Sequence, residues 1–262
     1  MIKAKKSLGQ NFLIDENIIK KITNLFNLKN RIILEVGPGT GNLTNSLLKC
    51  KAKKVYVIEK DDNLASLLEK KFFNEITVIN EDILKVKVDK LNEEKLMVFG
   101  NLPYNISTEI LCKWILDLKD EKFWFTELIL MFQKEVADRI ISNIDSSNYG
   151  RLSILAQWKL NVRKILDIKP NSFLPRPKVD SSLLVFSPKK NFFKIQNPYN
   201  LEKITRVFFS HRRKMIKKPF NQLFNGNKEI LKKLDIDLNL RPQNLDFDKY
   251  YQLAREYENL RS

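Results

Sequence analysis

Histidine and cysteine are nearly missing from this chain. Its one histidine, His211, excludes a three-histidine metal site, and a Ser-His-Asp triad would have to be built on that residue alone. His211 stands in a run of basic residues, a setting that suits a solvated or phosphate-facing side chain better than a catalytic one. The two cysteines, Cys50 and Cys112, are too few for a disulfide framework or a cysteine-based zinc cluster, and read as ordinary thiols of a reducing compartment. No metal is expected. No apolar run approaches the roughly 18–20 residues that cross a bilayer. The opening, Met1 to Gln10, is basic but has no apolar segment followed by a small-residue cleavage site, so no signal peptide is expected. Asp15 and Glu16 follow at once, and no arginine precedes Arg31, which argues against a transit peptide. The expectation is a cytoplasmic monomer with no membrane attachment.

Acids are the other shortage. Against 47 Lys and Arg there are 31 Asp and Glu, a formal net charge of +16 over 262 residues. Such a surplus attracts polyanions, and phosphate neutralisation supplies much of nucleic-acid affinity. A composition biased toward Lys, Asn and Ile would also produce it, so charge alone points to nucleic acid without deciding for it. Hydrophobic residues make up 43%, enough for a sizeable core, and the length suits one large domain with a small appendage. There is no internal repeat and no low-complexity tract.

What is present alternates. Short β-rich runs at Ile32–Val36, Val55–Glu59, Ile76–Ile79, Leu96–Phe99 and Glu127–Phe132 predict strands. Between them, helical spacing predicts helices over Ile18–Leu28, Leu43–Leu48, Asn63–Phe72, Ile106–Leu118 and Lys134–Ile144. That order implies an α/β fold with a mainly parallel sheet. Further on, Ser153–Trp158, Val162–Ile168 and Ser182–Phe186 read as strands, and Lys169–Lys178, with three prolines, as a rigid loop. Helices are expected over Leu201–Phe209, Met215–Leu223, Glu229–Leu234 and Asp246–Tyr257, after a linker at Lys189–Asn197.

The glycine-rich stretch Glu35-Val36-Gly37-Pro38-Gly39-Thr40-Gly41 joins the first of these strands to a helix. Glycines at 37, 39 and 41 let backbone turn tightly and come close to a ligand. No lysine follows Gly41, so this is not a phosphate loop, and its G-x-G-x-G spacing differs from the G-x-G-x-x-G of dinucleotide sites. With Glu35 ahead of it, the pattern resembles the first motif of the S-adenosylmethionine-dependent methyltransferases. Acids follow where such a cofactor needs them. Glu59, at the end of the second strand, can accept from both ribose hydroxyls, and Asp82, after the third, from the cofactor's adenine amine.

The fourth strand runs into Gly100-Asn101-Leu102-Pro103-Tyr104-Asn105-Ile106-Ser107, a sequence of the type that marks methyltransferases acting on planar amines. An adenine amine is a poor nucleophile because its lone pair is delocalised into the ring. The Asn101 side-chain oxygen and the Leu102 carbonyl can accept its hydrogens and aim the lone pair at a methyl carbon. Pro103 stiffens the loop, and Tyr104 offers an aromatic face to a base that has left its stack. Phe173, in the proline-braced loop, is either a second face for that base or a core anchor.

Together with Lys6-Ser7-Leu8-Gly9-Gln10-Asn11-Phe12-Leu13, Ser172–Ser181 and Phe208–Met215, these motifs resemble the small-subunit ribosomal RNA adenine dimethyltransferases over nearly the whole chain. The resemblance implies a Rossmann-like fold with a mixed seven-stranded sheet and a small all-helical C-terminal domain. Residues 1–190 would form the methyltransferase catalytic domain and residues 191–262 a helical RNA- and ribosome-binding domain. It further implies S-adenosylmethionine-dependent dimethylation of N6 on two adjacent adenosines in the 3′-terminal hairpin loop of small-subunit rRNA, late in ribosome assembly. It adds Asn11 and Leu13 to the cofactor pocket of Gly37, Glu59, Asp82 and Asn101, although Asn11 by itself reads as a cap for the helix at Ile18. Arg212, Arg213, Lys214, Lys217 and Lys218 form a basic cluster that reads as an RNA-backbone patch on a pre-ribosomal particle. One departure is Gln243-Asn244, where two acids are expected. Two rivals remain: the large-subunit rRNA adenine methyltransferases of macrolide resistance, and a non-catalytic assembly or transcription factor on the same fold.

Overall fold

A computed structural model of the chain describes residues 4–5, 8–118 and 122–261. Lys6 and Ser7 of the opening motif lie outside the described residues. The chain opens with a two-residue strand, β1 (Phe12–Leu13), and helix α1 (Glu16–Thr23), capped by the Asp15 carboxylate, which accepts the amides of Asn17 and Ile18. The alternating region follows as β2 (Ile32–Val36), α2 (Asn42–Lys49), β3 (Lys54–Ile58), α3 (Asp62–Lys71), β4 (Thr77–Ile79), β5 (Leu96–Gly100), α4 (Ser107–Leu116), β6 (Phe125–Gln133) and α5 (Lys134–Ile140). Next come α6 (Arg151–Lys159), β7 (Leu160–Ile168), β8 (Phe173–Leu174) and β9 (Ser181–Pro188). The chain closes with α7 (Pro198–Phe208), α8 (Lys217–Phe224), α9 (Lys228–Leu234) and α10 (Phe247–Asn259). Among the described residues no helix is long and apolar enough to cross a membrane.

The chain divides into two compact units. One comprises Met1–Lys113, Lys119–Ala137 and Arg163–Pro188; the other Trp114–Leu118, Asp138–Val162 and Lys189–Ser262. The chain passes between the units for the last time at 188/189. The second unit also takes in the α6 region, because α6 packs on α7 and α10.

In the first unit, seven strands form one mixed sheet in the order β4-β3-β2-β5-β6-β9-β7. The pairs β4–β3, β3–β2, β2–β5 and β5–β6 are parallel, and β9 runs antiparallel to β6. Every residue of β2 and of β5 is buried, as expected for parallel strands covered on both faces. The core joins Ile33, Val57, Phe99, Ile129 and Met131 of the sheet to Ile19 and Ile22 of α1 and Leu43 and Leu47 of α2. Strand order reverses beside β2, and in open α/β sheets that switch point marks the binding crevice.

Two sequence expectations need correction. Ser153–Trp158 is helix, not strand. Ile154, Leu155, Ala156 and Trp158 of α6 are all buried, with Ser153 and Lys159, so the segment is covered all round and shows no helical period. The Ser153 hydroxyl bonds the Gly150 amide and the Arg139 carbonyl and so fixes the helix start. Phe173 is the second. Its ring is 1% exposed and packs in the core, while β8 pairs antiparallel with β1 and sets Phe173 opposite Leu13. Of the two roles open to Phe173, the structure shows the anchor.

The second unit is helical and aromatic. Phe208 meets Tyr250 edge-on at 5.8 Å, Phe220 stacks on Phe224 at 4.8 Å, and Phe224 meets Tyr257 at 6.1 Å. The buried phenols are satisfied by backbone, Tyr149 by the Leu245 carbonyl at 2.9 Å and Tyr250 by that of Pro242 at 2.6 Å.

Because Phe173 is a core side chain, Phe173→Ala is expected to cost roughly 3–5 kcal/mol in urea unfolding. A variant of unchanged stability that loses activity would return Phe173 to the site.

Candidate functional site

The sheet's register builds the site. Ile79 pairs with Ile58, Ile58 with Val36, and Val36 with Gly100. The residues that follow these partners, Asn80, Glu59, Gly37 and Asn101, therefore leave the sheet along one edge. With the opening segment, Glu59, Gly37 and Asn101 surround a cavity of about 270 Å³, joined by Glu81 and Asp82 just beyond Asn80.

Gly37 and Gly39 hold φ of +70° and +57°, in the region that favours glycine. A methyl group on Gly37 would lie 3.1 Å from the Asn101 carbonyl oxygen, and one on Gly39 would lie 2.5 Å from the Phe12 ring. Both glycines line the cavity. Gly41 does not. It starts α2, and a side chain there would strike Phe72 at 2.5 Å and Leu68 at 2.9 Å, so its role is helix packing. The glycine loop is tied down by Glu59, whose carboxylate accepts the amides of Gly39 at 3.3 Å and Asp61 at 2.9 Å. Burial pushes the Glu59 carboxyl up, while these amide bonds oppose the shift. The Lys60 ammonium, 2.7 Å from Asp82, holds that carboxyl below the usual range, and Asp82 also accepts the Leu84 amide.

Asn101 is oriented by the opening segment. Its side-chain nitrogen donates to the Asn11 carbonyl at 2.6 Å, which leaves the amide oxygen as the group still able to accept. In the loop that follows, the Pro103 carbonyl accepts the Ile106 amide at 3.1 Å and the Tyr104 carbonyl the Ser107 hydroxyl at 3.3 Å. Among the described residues the Leu102 carbonyl carries no hydrogen bond. Tyr104 lines the cavity, and its hydroxyl meets that of Ser181, at the start of β9, at 2.5 Å.

Residues 8–12 form a wall of the cavity. Gly9 lies against Asn105 and Pro103, and Gln10 and Lys5 both reach the buried Asp61, at 3.2 Å and 2.9 Å. Leu13 faces the core instead, 5% exposed, and its carbonyl accepts from the Asn42 side-chain nitrogen at 2.9 Å. The structure thus gathers Asn11, Gly37, Gly39, Glu59, Asp82, Asn101, Leu102, Pro103 and Tyr104, and leaves Leu13, Gly41 and Phe173 off the wall. Sequence reasoning missed Lys60 and Ile83, which carry no motif of their own, and the contact of Ser181 with Tyr104, which its place at the end of the Ser172–Ser181 motif does not reveal.

The lining fits S-adenosylmethionine. In a chain of charge +16, three acids (Glu59, Glu81, Asp82) face the cavity against one lysine, Lys60. That suits a cationic sulfonium and disfavours a polyphosphate. Glu59 retains lone pairs for ribose hydroxyls, Asp82 has acceptor capacity for an adenine amine, and Ile58, Ile83 and Phe12 supply apolar surface.

A family model described as "Ribosomal RNA adenine dimethylase" matches residues 1–259. The chain belongs to the ribosomal RNA adenine dimethylase family. The cofactor of this dimethylase is S-adenosylmethionine. Similar proteins include "Ribosomal RNA small subunit methyltransferase A" of Pelagibacter ubique (strain HTCC1062), 65% identical over 260 residues and 99% of each chain. The protein of that name from Wolbachia sp. subsp. Drosophila simulans (strain wRi) is 39% identical over 264 residues, 99% of this chain and 96% of the relative. The crystal structure of a dimethyladenosine transferase from Plasmodium falciparum superposes with a TM-score of 0.80 at 30% identity, covering 95% of this dimethylase and 98% of that chain. The 23S rRNA methyltransferase ErmE shares the fold, with a TM-score of 0.67 at 22% identity over 95% and 100% of the two chains.

In the helical unit, Arg213, Lys214, Lys217 and Lys218 line an open groove together with Arg241 and the exposed Met215. Arg212 stands apart, because its guanidinium donates to the Ser146 carbonyl at 3.2 Å. Lys217 and Lys218 occupy the first turn of α8, which has no acid, although cations there oppose the helix dipole by about 0.3–1 kcal/mol each. A polyanion bound there would offset that cost.

Two outcomes follow for the dimethylase. Replacing Glu59 with Gln is expected to weaken S-adenosylmethionine binding about 10–100-fold by calorimetry, the range for a hydrogen bond to a charged group; unchanged affinity would remove Glu59 from the cofactor's contacts. Glu35 behaves as a pH probe. It is fully buried, its carboxylate accepting from the Thr44 hydroxyl at 2.6 Å, and burial raises its carboxyl from 4.5 to about 7. Between those values the unfolded carboxyl ionises while the folded one keeps its proton, so the unfolded state binds fewer protons and stability falls as pH rises. The wild type should lose roughly 3 kcal/mol more than Glu35→Gln between the two ends of that window in urea unfolding. Parallel profiles would refute the assignment.

Proposed function

We propose that this dimethylase converts two adjacent adenosines in the 3′-terminal hairpin loop of small-subunit rRNA to N6,N6-dimethyladenosine. The observation that carries the chemistry is the pair of vacant acceptors on one loop. The Asn101 amide nitrogen is committed to Asn11, so its oxygen is left to accept, and the Leu102 carbonyl is unbonded among the described residues. The substrate follows from relatives at 65% and 39% identity that bear the name of a small-subunit methyltransferase.

When bound, S-adenosylmethionine supplies an electrophilic methyl carbon. Glu59, Asp82 and the backbone around Gly37 and Gly39 would hold it. Asn101 Oδ1 and the Leu102 carbonyl would accept the two hydrogens of the adenine amine, favouring a pyramidal nitrogen whose lone pair is free to react. As the amine takes the methyl group and the sulfonium departs as a neutral thioether, the same two oxygens would stabilise the positive charge developing on the nitrogen, and the released proton would pass to water. Tyr104, held by Ser181, offers its ring to the base, and burial pushes its phenol up, so it stays neutral. No general base is required. The helical unit with its basic groove would grip the rRNA of a pre-ribosomal particle, and the enzyme would act as a cytoplasmic monomer without a metal.

The decisive test is transfer of labelled methyl from S-adenosylmethionine to under-methylated small-subunit particles, followed by nucleoside analysis. Dimethyladenosine is expected in the wild-type reaction. Asn101→Ala should keep particle binding and lose roughly two orders of magnitude in kcat, the effect of removing one preorganised hydrogen-bonding group. Methylation of large-subunit rRNA instead, or particle binding with no incorporation, would overturn the proposal.

A further inference from the structure

The helical unit contains a second groove, larger than the first, of about 790 Å³. It is formed by α7, α8 and α10 and carries two cations, Lys203 and Arg261, with no acid among its described lining residues. Both cations rest on one ring. The Lys203 ammonium lies 5.1 Å and the Arg261 guanidinium 4.7 Å from the centre of Tyr257. That ring is 3% exposed and is braced by Phe224 at 6.1 Å, so it is a fixed platform and not a face for a ligand to stack on. The charges are thereby positioned, and among the described residues neither is paired with an acid.

Three acids of the neighbouring turns of α7 and α10 are engaged elsewhere. Glu202 bonds Arg151 at 2.5 Å and lies 3.6 Å from Arg206. Glu256 pairs with Lys233 at 2.8 Å, and Glu258 accepts the amides of Gln196 and Asn197. The remaining lining is uncharged: Gln222, Asn225 and Asn227 can hydrogen-bond, with Gln222 and Asn225 exposed at the mouth, while Val207, Leu223, Phe224 and Leu260 are apolar. Two cations without an acid partner among the described residues, with side-chain amide donors beside them, suit the phosphate oxygens of a flexible polyanion.

We infer that this groove binds a second stretch of RNA backbone and that, with the groove around Arg213 and Arg241, it forms one track along α8. The helix supplies Lys217, Lys218 and Asn221 to the first groove and Gln222, Leu223 and Phe224 to the second. From Lys217 to Gln222 it advances only about 7.5 Å, so one strand can touch both. Neither Lys203 nor Arg261 belongs to the basic motif at Arg212–Lys214. The inference rests on the rRNA substrate proposed above.

The experiment measures binding of the full chain to under-methylated small-subunit particles across a salt series. Each phosphate contact contributes about 0.7–0.9 to the slope of log affinity against log salt. Lys203→Gln with Arg261→Gln should lower the slope by about 1–2 and leave kcat at saturating particles unchanged. Lys203→Arg with Arg261→Lys, which keeps both charges, should retain the wild-type slope. A wild-type slope in the double Gln variant, or an equal loss in the charge-conserving pair, would overturn the groove's role while leaving the substrate intact. Failure of the wild-type chain to bind the particles at all would overturn the substrate reading and this inference with it.

Discussion

The parallel register of β2 on β5 is the constraint on which the site depends. Setting Val36 opposite Gly100 brings the next two residues, Gly37 and Asn101, so close that a methyl group on Gly37 would lie 3.1 Å from the Asn101 carbonyl. A slip of one residue would turn every side chain of the strand to the other face. In strands buried on both sides, close packing must hold the register, and here all five residues of each strand contribute to it. The same alignment extends through β3 to β4, so one geometric condition places the glycine loop, Glu59, Asp82 and Asn101 around a common cavity.

Charge is then divided locally. A formal surplus of +16 would repel a cationic cofactor if it acted as a uniform field. Exposed charges are screened beyond roughly 8–10 Å at physiological salt, so the lining of each cavity decides what it attracts. Around the glycine loop the charged lining residues are mainly acidic; in the grooves of the helical unit they are basic. The local cost of the basic side is visible at α8, whose first turn begins with Lys217-Lys218 against the helix dipole.

Much of this was legible in the sequence. The alternation of apolar runs and helical spacing yields the sheet, and the glycine loop with acids at successive strand ends yields the cavity. What was not legible has physical reasons. The α6 segment is buried all round, so neither period stands out. Phe173 and Leu13 belong to recognisable motifs, but a motif does not say which way a side chain faces; the β1–β8 pairing turns both to the core. Ser181 supports Tyr104 from 77 residues away, and Arg241 joins a groove whose other cations lie at 213–218. Such partnerships exist only once the chain is folded.

The bond from Asn101 to Asn11 gives the opening segment a chemical role. An unrestrained side-chain amide can present either its nitrogen or its oxygen to a ligand, and only the oxygen can accept from an adenine amine. Commitment of the nitrogen to the Asn11 carbonyl at 2.6 Å removes the unproductive orientation before substrate arrives. A neutral hydrogen bond contributes only about 0.5–1.5 kcal/mol to stability, but here it also fixes the direction of a dipole. A preorganised acceptor of this kind stabilises charge developing on nitrogen without itself taking a proton. A chain with one histidine, exposed at His211 in the helical unit, therefore has no need of an imidazole base at its candidate active site.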